Sequence, residues 1–311
     1  MVATLLRLFL SIDLLQAAVR FSTPLLGASL GEALSERAGV LNVSLEGMML
    51  CGALGGALGA YYTGSPWAGL LLGITAGTLV ALVQAFFSIT LAVSQVVSGI
   101  ALNIVCLGIT TYVSRSVFGL DSSPQVAGFA DIRIPLLADI PVLGRVFFEQ
   151  SILVYLTYLL VPVVALALVR TEWGLRLRAV GENPEAASSL GVSVARIRYT
   201  AVLLCGAFSG AAGCFFSLVQ LNMFVEAMTA GRGFIALAVV IVGRWKPWRL
   251  ALVSLLFGFL DALALRAQAL GVGLPYQLLL ALPYLVTLLV YAGLVGRVPA
   301  PRALSEPFIQ D

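Results

Sequence analysis

The chain contains no histidine, and lysine occurs once, at Lys246. The first absence removes the Ser–His dyad of intramembrane serine proteases and the His–zinc centre of intramembrane metalloproteases. Ser209, in the short run AFSG, therefore has no base to activate it. The second absence leaves no basic run suited to nucleic acid. Lys246 sits in GRWKPW rather than in the G-x-x-x-x-G-K-[ST] loop that cradles nucleotide phosphates, so an ATP-driven step needs another chain. Cysteine is scarce too. Cys51, Cys106, Cys205 and Cys214 lie in apolar runs without C-x-x-C spacing, which argues for small buried side chains rather than a disulfide or metal site.

Charged residues make up only 11% of the 311 residues, while 60% are hydrophobic and the mean hydropathy is +1.03. A soluble domain is normally less than half apolar. The composition predicts an all-α fold: a polytopic membrane helix bundle of about 8–10 spans, forming one membrane domain over residues 1–311. A bilayer core takes about 20 apolar residues per helical span. The candidate spans are 11–31, 41–61, 67–87, 92–113, 151–169, 199–221, 231–243, 249–270 and 275–295. Arg7, Asp13 and Arg20 interrupt the first apolar run and no small-residue cleavage site follows, so residues 1–20 read as an interfacial helix leading into the first span.

The longest strongly charged interval, 170–198, holds five arginines against three glutamates, the mark of a cytoplasmic loop. Within it Asn183 is placed to cap a helix, Pro184 fits the first helical position, Glu185 complements the helix dipole and Gly191 can end the helix. Arg244, Lys246, Arg249, Arg297 and Arg302 assign further segments to the same side. Residues 114–149, with three positive and four negative charges and Pro124, Pro135 and Pro141, fit the outer face. Nine spans would then place the N-terminus outside, at odds with Arg7 and Arg20.

Gly52/Gly56, Gly55/Gly59 and Gly69/Gly73/Gly77 set bare backbone on single helix faces and predict close helix packing. LCGALGGALGA (50–60) and LCGAFSGAAGC (204–214) agree at seven of eleven positions, a hint of internal duplication. Polar residues inside apolar spans name a candidate solute path: Asn42, Glu46, Gln95, Ser98 and Asn103, with Asn222 near its outer mouth. The 88–110 stretch reads as a broken or re-entrant helix. Glu46 fits a helix-dipole role as well as a path role. Asp261 and Arg266, five apart, form a weakly spaced pair.

Glu185-Ala186-Ala187 and Gly191 spell EAA-x-x-x-G, which resembles the coupling-loop motif of bacterial ABC-importer permeases. The run GLRLRAVGENPEAASSLGVSVARIRY (174–199) is similar to the matching loop of the branched-chain amino acid, simple sugar and nucleoside family. SERAGVLNVSLEGMM (35–49) resembles the nucleoside and simple-sugar branch. The I-x-L-P tail of other importer families has no counterpart here.

The resemblance implies a permease subunit of the inner (cytoplasmic) cell membrane, not an enzyme, with no cofactor in this chain. ATP and Mg would be held by a partner ATPase subunit, against which a short cytoplasmic coupling helix docks through Gly181, Glu182, Asn183, Pro184, Glu185, Ala186, Ala187 and Gly191. It further implies a second permease subunit, identical or sister, an extracytoplasmic solute-binding protein and contact with membrane lipid. The expected cargo is a small neutral solute, a nucleoside or simple sugar, with branched-chain amino acids as the alternative. An ion-coupled carrier would need a relay of buried carboxylates such as Glu46, Glu226 and Asp261, and the EAA-type loop argues against it.

Overall fold

Helix α1 (Ile12–Arg37) is buried along nearly its whole length. The structure, a computed structural model, describes residues 12–119, 123–135, 137–141, 143–270, 285 and 300–308. The other helices form around α1: α2 (Leu45–Thr63), α3 (Pro66–Ala85), α4 (Gln95–Phe118), α5 (Leu143–Phe148), α6 (Ile152–Arg170), α7 (Glu172–Glu182), α8 (Pro184–Ser189), α9 (Val194–Phe215), α10 (Arg232–Gly243) and α11 (Pro247–Ala269). A two-stranded antiparallel ribbon, β1 (Asp131–Arg133) with β2 (Glu149–Ser151), is the described strand structure. The protein is thus an all-α bundle.

Five described helical segments are long and apolar enough to cross a membrane: Pro66–Thr90, Gln95–Phe118, Ile152–Arg170, Val194–Gln220 and Pro247–Ala269. Helix α1 carries its polar residues inward. Ser22 and Thr23 donate to the Val19 carbonyl at 2.8 Å and Ser29 to that of Leu26 at 3.0 Å, so these hydroxyls meet the needs of their own helix. Around α1 pack α6, α9, α10 and α11, with Leu25, Leu30, Val164, Val240 and Phe257 in their shared core.

The predicted glycine faces meet neighbours as the spacing requires. Gly52 and Gly56 lie against α9, where an added Cβ would run into Gly210 and Cys214. Gly55 and Gly59 meet Gly73 and Gly69 of α3, and Gly77 of α3 meets Gly206 and Gly210 of α9. Helices α2, α3 and α9 thereby join backbone to backbone. This contact also explains the likeness of 50–60 to 204–214: two helices pressed against each other both need small residues. The repeated shape is a different one. Helices α3 and α9 each end in a five-residue π-helical turn, Phe86–Thr90 and Phe216–Gln220. Each turn is followed, at equal separation, by a left-handed residue, Ala92 and Asn222. The chain then restarts as α4 and α10, so the expected break within 88–110 falls at 91–94.

One expectation changes. The stretch 231–243 is not a full span: α10 has 12 residues, about 18 Å long, against a bilayer core of about 30 Å. Residues 12–20 are the first turns of α1, continuous to Arg37, with residues 1–11 outside the described residues. Arg20 forms an ion pair with Asp131 of the 114–149 segment, and Gln16 donates to the Glu149 carbonyl at 3.0 Å. The amino end of α1 therefore shares the 114–149 end of the bundle, and its carboxyl end shares the arginine-rich end. Apart from Leu285, the expected span 275–295 lies outside the described residues.

Candidate functional site

At the arginine-rich end the 170–198 loop folds as two short helices. Thr171 caps α7, accepting from Gly174 N at 3.0 Å, and Asn183 caps α8, accepting from Ala186 N at 2.9 Å with Pro184 in the first turn. Leu190 closes α8 and Gly191 follows at φ +81°, a left-handed conformation that glycine adopts without penalty. The helix has 6 residues, short of two full turns. Ala187 is 3% exposed and anchors α8 in the core around α1, whereas Glu185 and Ala186 face outward. Leu190, which sequence reasoning did not single out, stands 85% exposed beside them.

This loop is tied directly to α1. Gly181 packs on the Arg37 carbonyl, where an added Cβ would collide, and its own carbonyl accepts from Ala303 N at 3.0 Å. Ser305 N donates to the Gly39 carbonyl at 3.1 Å. Arg198, 1% exposed, bonds the Ala38 carbonyl through Nε at 3.3 Å and the Glu306 carbonyl through Nη1 at 3.0 Å. The 303–306 segment thus clasps the loop to the end of α1.

A second cluster lies where α2, α4 and α10 begin. Five of the six candidate path residues meet there. Asn42 is buried, accepts from Ser44 N and Oγ at 3.2 and 2.7 Å, and turns Nδ2 toward Met48 and Cys205. Asn103 of α4 accepts from Gly47 N at 2.8 Å and donates to the Val43 carbonyl at 2.9 Å, satisfying the start of α2 from outside. Gln95 accepts from Leu41 N at 2.7 Å, and Ser98 donates to the Gln95 carbonyl at 3.2 Å. Asn222 stands apart, exposed in the turn after the second π-helical segment, its carbonyl accepting from Val126 N at 2.8 Å.

Glu46 lies in the first turn of its helix, as expected, but serves a different one. Its Oε1 accepts from Thr229 Oγ1 at 2.6 Å and Gly231 N at 2.8 Å, and its Oε2 from Gly233 N at 2.7 Å. A carboxylate is thereby held on the first turn of α10, where unpaired N–H groups and the helix dipole favour it. Gly233 packs on the Glu46 backbone and leaves no room for a side chain. Arg232 lies 5.2 Å from the Phe216 ring centre and 3.7 Å from Asp261, which is therefore paired across α10 and α11 rather than with Arg266. Nearby, Arg115 holds Glu226 through two bonds of 2.7 and 2.9 Å and keeps its carboxyl below the usual carboxylate range.

Two acids at the end of α1 were not singled out by sequence reasoning. Glu32 accepts from Asn42 N at 2.8 Å and contacts Cys205, and Glu36 accepts from Trp245 Nε1 at 2.5 Å. Both are buried. The signal available was their period of four on a helix otherwise free of acids in its second half.

A bundle of membrane-crossing helices packed around α1, two of them interrupted by π-helical turns and restarting, with a capped helical loop at one end, is the build of a multi-pass transport subunit. The chain belongs to the family described as "Branched-chain amino acid transport system / permease component", whose profile matches residues 14–291. It is an ABC transporter permease of the cell membrane, a transport component rather than an enzyme. It is 44% identical over 265 residues, 84% of this chain and 79% of the other, to a protein of Haloferax volcanii provisionally named as glucose ABC transporter permease TsgC13. To the guanosine ABC transporter permease protein NupQ of Bacillus subtilis it is 35% identical over 307 residues, 94% of this chain and 95% of the other. A second guanosine permease of that bacterium, NupP, is 28% identical over 255 residues, 79% of this chain and 72% of the other. No solved structure matches the chain significantly.

Proposed function

We propose that this chain is the path through which an ABC importer carries a small neutral, hydroxyl-rich solute, a nucleoside or simple sugar, into the cytoplasm. The observation that carries the reading is the exposed surface of α8, with Glu185, Ala186 and Leu190 outward and Ala187 anchored, joined through Gly181 to the end of α1. Such a helix can transmit a push from an ATPase subunit, which would hold ATP and Mg, to the helix at the centre of the bundle. Gly181, Glu182, Asn183, Pro184 and Gly191 shape and flank that surface. The names of the relatives support the solute class, and the likeness to two permeases of one bacterium supports pairing with a sister permease. An extracytoplasmic binding protein would deliver the solute at the 114–149 end.

The path is assigned to the crossing where Asn42, Glu46, Gln95, Ser98 and Asn103 meet, with Asn222 toward the outer end. Amide and hydroxyl groups suit a neutral polyol better than paired charges do. Gln95 Nε2 and Gln84 Oε1 have no hydrogen-bond partner among the described residues, a vacancy in polar contacts that fits solute or water. Uptake of labelled uridine, glucose and leucine by cells lacking the chain and then regaining it tests the reading. Restored leucine uptake alone would move the assignment to branched-chain amino acids, and no restored uptake would remove it.

A further inference from the structure

Beside the 170–198 loop lies a cleft of about 340 Å³ in which Arg37, Arg244, Lys246 and Arg249 gather around Trp245 with one acid, Glu182. Among the described residues Arg244, Lys246 and Arg249 have no ion-pair partner, so the cleft keeps an unneutralised positive charge. Helix α11 starts at this cleft, and its next turns expose Trp248 at 61%, Leu252 at 69% and Leu256 at 42%. Leu252 and Leu256 stand three and seven residues beyond Arg249, on the same helix face. The stripe climbs about 12 Å from the cleft at 1.5 Å per residue. It then enters an apolar cavity of about 370 Å³ lined by Leu252, Leu255, Leu256 and Phe259 with Leu15 and Val146.

We propose that this cleft and stripe bind an anionic phospholipid, its phosphate among Arg244, Lys246 and Arg249 and one acyl chain along Leu252 and Leu256. Charge complementarity selects the headgroup, since basic pockets between spanning helices attract phosphate-bearing lipids. An exposed tryptophan between the cations and the leucines suits the boundary between headgroup and hydrocarbon. The length of the stripe matches part of one leaflet, about 15 Å deep. A free phosphate would use the cations and leave the stripe without an occupant. The binding is independent of which solute is carried and of the role given to α8.

The test uses the full chain purified in mild detergent with the partner chains that copurify, then exchanged into nanodiscs of equal parts phosphatidylglycerol and phosphatidylcholine. Native mass spectrometry should find phosphatidylglycerol retained in preference. Arg244→Gln, Lys246→Gln and Arg249→Gln should each lower the preference roughly fivefold, the effect of about one charge near an anionic headgroup. A measurement on the unaltered protein stands beside the variants: brominated phosphatidylglycerol should quench tryptophan fluorescence more than brominated phosphatidylcholine, with the difference lost in Trp248→Phe. Equal retention of the two lipids, equal quenching by both, or displacement by glycerol phosphate in water at the same concentration would overturn the proposal.

Discussion

Glu46 and Gly233 are 187 residues apart in the chain and 2.7 Å apart in the fold, joined by one carboxylate oxygen. A glutamine there keeps one acceptor and turns an NH2 group toward backbone donors. Glu46→Gln should therefore lower the stability of the purified protein by about 1.5–3 kcal/mol, the usual worth of a hydrogen bond to a charged group. Thermal unfolding in detergent checks this. Unchanged stability would remove the capping role and leave Glu46 to the path alone. Arg198 offers a second test at this scale. Its charge is buried among the carbonyls of Ala38 and Glu306, so Arg198→Met should loosen the 303–306 clasp and cost about 3 kcal/mol. Protease sensitivity of the C-terminal segment, unchanged from wild type, would refute it. Neither contact was legible in the sequence. Glu46 announced a helix start by position alone, and only the fold reveals that the start it caps belongs to α10.

At the scale of elements, legibility followed local chemistry. Asn183, Pro184 and Gly191 specify the start and end of α8 because capping needs only neighbours within one turn, and the helix forms there. Glycine spacing revealed the α2, α3 and α9 faces because close approach has a fixed helical period. The misread elements depend on distant partners: α10 passes for a span by hydropathy, yet its first turn is held inside the bundle by Glu46. The π-helical turns leave no such mark, since their extra residue shows only in backbone hydrogen bonding. The outward face of α8 yields its own prediction. Ala186→Arg and Leu190→Arg alter exposed positions, so folding and membrane insertion should remain within about 0.5 kcal/mol of wild type. Solute uptake, measured with the ATPase subunit coexpressed, should fall at least tenfold if α8 is the docking surface. Normal uptake in both variants, with the ATPase still copurifying, would falsify that role.

For the whole molecule, the distribution of charge sets the orientation. Arg170, Arg176, Arg178, Arg196, Arg244, Lys246, Arg249 and Arg302 collect at the end where α1 finishes. The opposite end mixes Arg20, Arg115 and Arg133 with Asp131, Glu226 and Asp139, each in an ion pair. Lysine and arginine set that bias and carboxylates contribute little to it, so the arginine-rich end, with the larger count, is the cytoplasmic one. Arg20, which at first argued for an internal amino end, belongs to the smaller group. The expectation is that the arginine-rich end is cytoplasmic and that α1 begins on the outer side. Single cysteines placed in a chain stripped of its four natural ones distinguish the possibilities. Asp13→Cys and Ser123→Cys should react with an impermeant maleimide in intact cells, and Ser188→Cys, Arg249→Cys and Arg302→Cys only after permeabilisation. Labelling of the second group and protection of the first would invert the molecule. Protection of Asp13→Cys alone would bring the two ends of α1 to one side of the barrier, which a single continuous helix of 26 residues, about 39 Å along its axis, cannot do while crossing it.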